Sequence, residues 1–300
     1  MSPFEALRAT GLTSALAPVE FGGGGASHDD MGQVLRELGR HDPATAVTLS
    51  MHSHLRGRRS GGIATGSTPR RCSNGTVRKV DGGFRASARK GPASGCEVGH
   101  VLVTSLRWDD PPDGPQVVHC SVPLSGDGVS IDAAISLAHP ADQLHPVWNT
   151  VCGAARPLIL PAYLGVADSA VELARGAVSG RSEPHVLQLL GEMMNAHTTA
   201  ADVVAAMYVD SENLPFDNTD AIASRMLSRK TVAAEAVIHT VRLAIEVTGG
   251  VGYTRSSDIE RLYRDVHGCL FHPLPRAKQT HPHRARRARH EPDRLTPPIS

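Results

Sequence analysis

Along residues 28–41 the apolar positions Met31, Val34, Leu35 and Leu38 fall at helical spacing, and Ser27 stands where an N-cap belongs. The preceding run Phe21-Gly22-Gly23-Gly24-Gly25 cannot continue a helix and reads as a turn. His41-Asp42-Pro43 breaks the pattern, with Asp42 as a cap and Pro43 opening a helix that runs through Ala46, Val47 and Leu49 toward His54. Residues 57–75 are Arg, Gly, Ser, Thr and Pro with few apolar anchors, the texture of a loop or linker. From residue 76 the period changes to two. Thr76–Ser87 carries Asp81-Gly82-Gly83 between alternating segments, a hairpin signal, and two β-branched runs flank the turn residues Asp109 to Pro115. These strands predict a small antiparallel β unit.

From Val147 to about His267 the texture is helical. Ser182-Glu183-Pro184 starts one long helix, with Leu187, Leu190, Met194 and Val204 as its apolar face. A second, Asp220 to Val247, carries Ile222, Met226, Val232, Ala236 and Val237, and Leu214-Pro215-Phe216 joins the two as antiparallel neighbours in a bundle. The chain thus divides into an N-terminal helical part (1–57), a linker or loop (58–75), a reduced middle β-domain (76–146), a C-terminal helical bundle (147–275) and a tail (276–300). The fold class is mainly α with a small β domain.

Composition narrows the function classes. With 40% hydrophobic and 20% charged residues among 300, the chain can bury a sizeable core, and 4% aromatics make that core aliphatic. The net charge of +1 argues against a surface built for nucleic acid. Arg276–Ser300 nevertheless holds seven Lys/Arg against two Asp/Glu, including the run Arg284–Arg289, which reads as a solvated basic tail. The five cysteines (Cys72, Cys96, Cys120, Cys152, Cys269) form no C-x-x-C pair, so neither a disulfide framework nor a thiolate zinc site is expected. His52-x-His54 and His281-x-His283 lack a carboxylate or cysteine partner at fixed spacing, so no metal is expected and these histidines read as solvated. The start lacks a basic n-region with an apolar h-region, and no apolar run is long enough to span a bilayer; a cytoplasmic protein off the membrane is expected.

Glu246-Val-Thr-Gly249-Gly250-Val251-Gly252-Tyr253 follows the second long helix. Paired glycines there ordinarily cap a helix, and they also leave amides that a phosphate can approach closely. With Asp258-Ile-Glu-Arg-Leu-Tyr-Arg-Asp265 after it, the segment resembles the C-terminal part of the acyl-CoA dehydrogenase superfamily. The resemblance extends to Pro18–Ala26, to Arg36-Glu37-Leu38 with Asp42–Ala46, and to Asp81-Gly82-Gly83-Phe84-Arg85 with Arg89-Lys90, covering roughly 4–57, 76–132 and 145–279.

That resemblance implies N-terminal helices, a middle β-domain, a four-helix bundle, bound FAD (or FMN) and a homodimer or homotetramer. It implies α,β-dehydrogenation of an acyl-CoA thioester, in which a carboxylate removes the α-proton while the flavin takes hydride. The two positions where relatives carry that carboxylate read Pro273 and Arg156 here. The flavin contacts implied are Ser94, Glu246, Gly249, Gly250 and Gly252, and Arg156 is a candidate for substrate binding. Arg264-Asp265-Val266 followed by Phe271-His272-Pro273-Leu274, together with Trp148-Asn149-Thr150 and Ser94-Gly95, is similar to a second branch of the superfamily, in which reduced flavin and oxygen hydroxylate aromatic substrates. In that branch His272 is the candidate catalytic group, since imidazole exchanges protons near neutral pH; its plain reading is a helix-end histidine beside prolines. Three activities are therefore set against one another: dehydrogenase, monooxygenase served by a flavin reductase or electron-transfer partner, and an inactive shortened paralogue acting as an assembly scaffold.

Overall fold

The N-terminal helices form where the sequence supplies caps. A computed structural model describes residues 3–56, 75–81, 83–88, 101–109, 116–126, 128–129, 147–212, 219–272, 275–276 and 279. Helix α1 (Pro3–Ala9) leads through glycine-rich turns to α2 (His28–His41). Ser27 and Asp30 close a reciprocal capping box at the start of α2. Asp42 then accepts from the Thr45 amide and hydroxyl, and Pro43 opens α3 (Pro43–Arg56). His52 is not solvated: it is half-buried, with Nε2 2.8 Å from the Thr13 carbonyl, and so ties α3 to the first turns.

Residues 1–58 and 146–300 make one compact unit, and residues 59–145 a second. In the second, β1 (Thr76–Val80) and β2 (Gly83–Ser87) form the hairpin predicted around Asp81, and β3 (Val101–Trp108) pairs antiparallel with β4 (Gln116–Pro123). The strand order is β2-β1-β3-β4, and β1 pairs parallel with β3. The expectation of a purely antiparallel unit is therefore corrected to a mixed sheet.

In the first unit α4 (Val147–Ala177), α5 (Pro184–Ser211) and α6 (Asp220–Thr248) pack together, and α7 (Asp258–Val266) folds back along α6 and α4. Every residue of α4 from Cys152 to Asp168 is buried, as a helix apolar on all sides must be. Its span Cys152–Ala177 is long and apolar enough to cross a membrane, contrary to the sequence expectation, yet 83% of the apolar window is buried inside the fold, where it forms the bundle's centre. Pro157 and Pro161 lie within α4 and donate no backbone hydrogen bond.

The buried face of α5 is Val186, Met193, Ala200, Val204 and Met207. Val204 belongs to it as predicted, whereas Leu187 and Met194 are 52% and 36% exposed and Leu190 is half-buried. Apolar residues stand on both sides of this stripe, so periodicity alone left its centre one residue off. On α6, Met226, Ala236 and Val237 are buried as predicted, Ile222 is partly buried, and Val232 is 45% exposed.

Helices α2 and α4 cross at backbone contact. A side chain at Gly165 would begin 2.0 Å from the Arg36 carbonyl oxygen, and one at Gly39 2.1 Å from that of Ala162. Beside this crossing, Arg36 makes two bonds to Asp168, of 2.6 and 2.7 Å, and His197 Nε2 lies 2.6 Å from the same carboxylate. One buried anion thus joins α2, α4 and α5. Burial opposes ionisation of Asp168, but Arg36 and His197 outweigh it and hold the carboxyl below its usual range.

Two stability predictions arise from this crossing. Gly165→Ala should destabilise the protein by about 1–3 kcal/mol through backbone overpacking, whereas Gly176→Ala, where a side chain meets nothing within 4 Å, should be neutral or slightly stabilising in thermal unfolding. Asp168 contributes stability fully above its unfolded-state value of about 3.9 and loses it as pH falls through the lower folded value. Asp168→Asn should therefore cost about 2–4 kcal/mol at pH 7 and flatten the acid limb of a stability-against-pH curve.

Candidate functional site

The middle of α4 and the middle of α6 present polar side chains to one another from inside the bundle. Arg156 and Tyr163 stand two turns apart on one face of α4, and Lys230 faces them from α6; Arg156 and Lys230 are each 2% exposed. The segment after α7 closes over them. A 3-10 turn, His267–Leu270, ends at an exposed Phe271 and a half-buried His272.

Four contacts strap this segment to α6. Lys230 Nζ donates to the Leu270 carbonyl at 3.3 Å, and Cys269 Sγ lies 3.8 Å from the Ala234 carbonyl. Thr231 Oγ1 donates to Gln279 at 2.6 Å, and Arg276 pairs with Glu235 at 2.5 Å. On the α4 side, Tyr163 Oη lies 2.5 Å from His272 Nε2. Gly268 passes over that hydroxyl so closely that a side chain there would begin 2.6 Å from it.

Electrostatics fix the protonation of this cluster. Burial, then the charge of Lys230, lowers the His272 pKa to about 4, so the imidazole is neutral near pH 7. Burial raises the Tyr163 phenol well above its ordinary value, and raises the Cys269 thiol to about 12. Lys230 is itself held below the usual lysine range by burial and, to a lesser degree, by Arg156. With the phenol protonated and the imidazole neutral, Tyr163 Oη and His272 Nε2 share one hydrogen bond, whose donor is set by the imidazole tautomer.

The glycine turn has a different geometry. Gly249 adopts φ 70°, which favours glycine, and a side chain at Gly249 or Gly250 would meet open space. Gly252 is buried, and a side chain there would begin 2.0 Å from Thr248 Oγ1, so this glycine serves packing. Glu246 is exposed and pairs with Arg242 at 3.0 Å. Beside the turn opens a cavity of about 430 Å³ lined by Ile245, Tyr253, Glu260, Tyr263, Arg264 and His267.

The structure thus brings His272 and Arg156 into one neighbourhood around Lys230 and leaves Glu246, Gly249, Gly250 and Gly252 elsewhere. Lys230 and Gly249 are separated along α6 by about 28 Å at 1.5 Å per residue. Ser94 and Pro273 lie outside the described residues, as do His281, His283 and Arg284–Arg289. Among the described residues, no group of three His, Cys, Asp or Glu could hold a metal.

Sequence reasoning missed Lys230, Tyr163 and Cys269. Lys230 carried a usable signal: it falls four residues after Met226 and seven before Val237, on the buried register of an aliphatic helix. Tyr163 repeats the face of Arg156 after seven residues, but inside an apolar run that spacing looks like core.

Comparison with known proteins places the chain. Residues 1–60 match the model of the acyl-CoA dehydrogenase N-terminal domain, and residues 147–269 that of the acyl-CoA dehydrogenase C-terminal domain. YdbM of Bacillus subtilis (strain 168), an inferred acyl-CoA dehydrogenase, is 27% identical, covering 89% of this chain and 84% of its own. Among solved structures, KijD3 in complex with FMN and a dTDP-linked amino keto sugar superposes with a TM-score of 0.78 at 22% identity, covering 97% of this chain and 87% of its own. Dibenzothiophene monooxygenase TdsC from Paenibacillus sp. A11-2 gives 0.74 at 18% identity, covering 92% and 87%. The nitrososynthase of Micromonospora carbonacea var. africana gives 0.77 at 19% identity, covering 95% and 88%.

The His272 value has a measurable consequence. Its folded pKa of about 4 lies below the ordinary 6.5, so the unfolded chain binds the proton first. Stability should fall as pH drops from about 6.5 to about 4 and should not change above that window on this account. In urea unfolding across this range, His272→Gln should remove that part of the slope.

Proposed function

Because the chain belongs to the acyl-CoA dehydrogenase superfamily, whose members are flavoenzymes, we propose that it is a reduced-flavin-dependent monooxygenase acting on a small organic molecule. The observation that carries this reading is the neutral, Tyr163-bonded His272, in a chain whose two carboxylate positions read Pro273 and Arg156. Proline has no basic group, and arginine stays protonated, so neither takes a proton from carbon. A histidine whose pKa lies near 4 is also a poor base for an α-proton, since a base works best with a pKa near the operating pH. The resemblance of the fold to KijD3 and TdsC supports the same branch.

The residues present fit a flavin nucleotide at the glycine turn. Gly249 and Gly250 carry no side chain at a turn that opens on free space, the Gly249 amide itself being bonded to the Glu246 and Ile245 carbonyls, and the adjoining cavity offers Arg264, paired with Glu260, beside the rings of Tyr253 and Tyr263. FAD or FMN would be held there by the turn, with Arg264 toward its phosphate. When bound and reduced, the flavin supplies the electrons that divide O2 between an oxygenated product and water. In the tautomer where Tyr163 donates to Nε2, His272 would present Nδ1–H as a donor on a ring that burial keeps uncharged. Arg156, buried one turn from Ile159 in the same cluster, would offer a cation to an anionic substrate group.

The separation of the glycine turn from His272 supports a homodimer or homotetramer in which one copy supplies the turn and another the histidine. The exposed Leu187, Met194 and Val232 offer apolar surface for such an assembly. A flavin reductase would be the electron-transfer partner. The dehydrogenase reading keeps the support of the family models and of YdbM, and one experiment separates the two.

Purified protein should change the visible spectrum of FMN or FAD on titration. Supplied with reduced flavin, it should consume O2 and release oxygenated product, and His272→Ala should lower that rate by about 10²-fold, the loss of one preorganised hydrogen-bond donor, with flavin binding retained. Bleaching of the bound flavin by an acyl-CoA in the absence of oxygen would instead establish dehydrogenation.

A further inference from the structure

A lysine at 2% exposure in an aliphatic helix carries a desolvation cost that α6 would avoid with leucine. What Lys230 touches gives it a use. Its Nζ donates to the carbonyl of Leu270, two residues before His272, at 3.3 Å. The next turn of α6 receives Cys269, whose Sγ lies 3.8 Å from the Ala234 carbonyl, so the residues just before the histidine are fixed to α6 at two points. From α4, Tyr163 fixes the imidazole itself at 2.5 Å. We propose, resting on the reading of His272 as the proton-holding group, that Lys230 is its positioning residue: the buried ammonium pins the turn that sets His272 against Tyr163 and faces the imidazole as a fixed positive charge.

The charged and titratable groups around His272 bear on this. Tyr163 and Arg156 come from α4, Lys230 from α6, Asp265 from α7, and Cys269 from the histidine's own turn. Arg156 and Lys230 are cations, Tyr163 and Cys269 are held uncharged by burial, and Asp265 pairs with Arg261 at 3.2 Å. A positive charge fixed beside an imidazole disfavours imidazolium, which preserves the neutral ring bonded to Tyr163. Leucine or methionine at position 230 would fill the space and supply neither the bond nor the charge. Arginine would supply both.

The test uses full-length protein labelled at the histidine ring carbons and followed by NMR across pH. In the wild type the His272 signal should stay constant between about pH 8 and 5, as a midpoint near 4 requires. In Lys230→Met that midpoint should climb part of the way toward 6.5, bringing titration into the window, and Lys230→Arg should return it toward the wild-type value. A folded Lys230→Met whose His272 titrates as in the wild type overturns the proposal. Should Lys230→Met fail to fold, the ammonium nitrogen of Lys230 in the wild type serves instead: its signal should move as His272 protonates, and a signal indifferent to that step overturns the proposal as well. The titrations need no flavin, so a protein that binds none rejects the oxygenation reading while the histidine midpoint still decides the role of Lys230.

Discussion

Close approach of α2 and α4 at Gly39, Ala162 and Gly165 is the constraint on which the helical unit rests. With backbones in contact, Arg36 reaches Asp168 from α2 and His197 reaches it from α5. With α3, α5, α6 and α7 also packed on it, α4 is buried from Cys152 to Asp168, so any polar group in that span needs partners within the protein. Arg156 and Tyr163 stand on that helix, and the cluster around His272 follows from where it is held.

How much of this was legible in the chain depended on whether the signal was local. The N-cap at Ser27, the Asp42-Pro43 break, the proline start of α5 and the hairpin at Asp81 are written in neighbouring residues, and each formed where it was read. The centre of the α5 stripe was not, because Leu187 and Met194 compete with Val186 and Met193, and only the neighbouring helices decide between them. The parallel pairing of β1 with β3 escaped for a like reason: each strand's alternation shows its faces and says nothing about which hairpin lies beside which.

The candidate site divides along the same line. His272 and the glycine turn were visible as short motifs, and the match to the C-terminal family model, residues 147–269, spans the glycine turn. The distance between them along α6 was not visible, nor was the exchange of roles among the glycines, with Gly249 and Gly250 open and Gly252 closed by Thr248. Tyr163 and Lys230 lie 109 and 42 residues from His272 in sequence, and only folding makes them its neighbours.

Cys269 adds a chemical consequence. Thiols are attacked by oxidants as thiolates, and burial with a pKa near 12 leaves almost none of this one ionised at neutral pH. Sulfur three residues from the imidazole is thereby kept in its inert form, so the turn that carries His272 resists oxidation at the very atom that anchors it to α6.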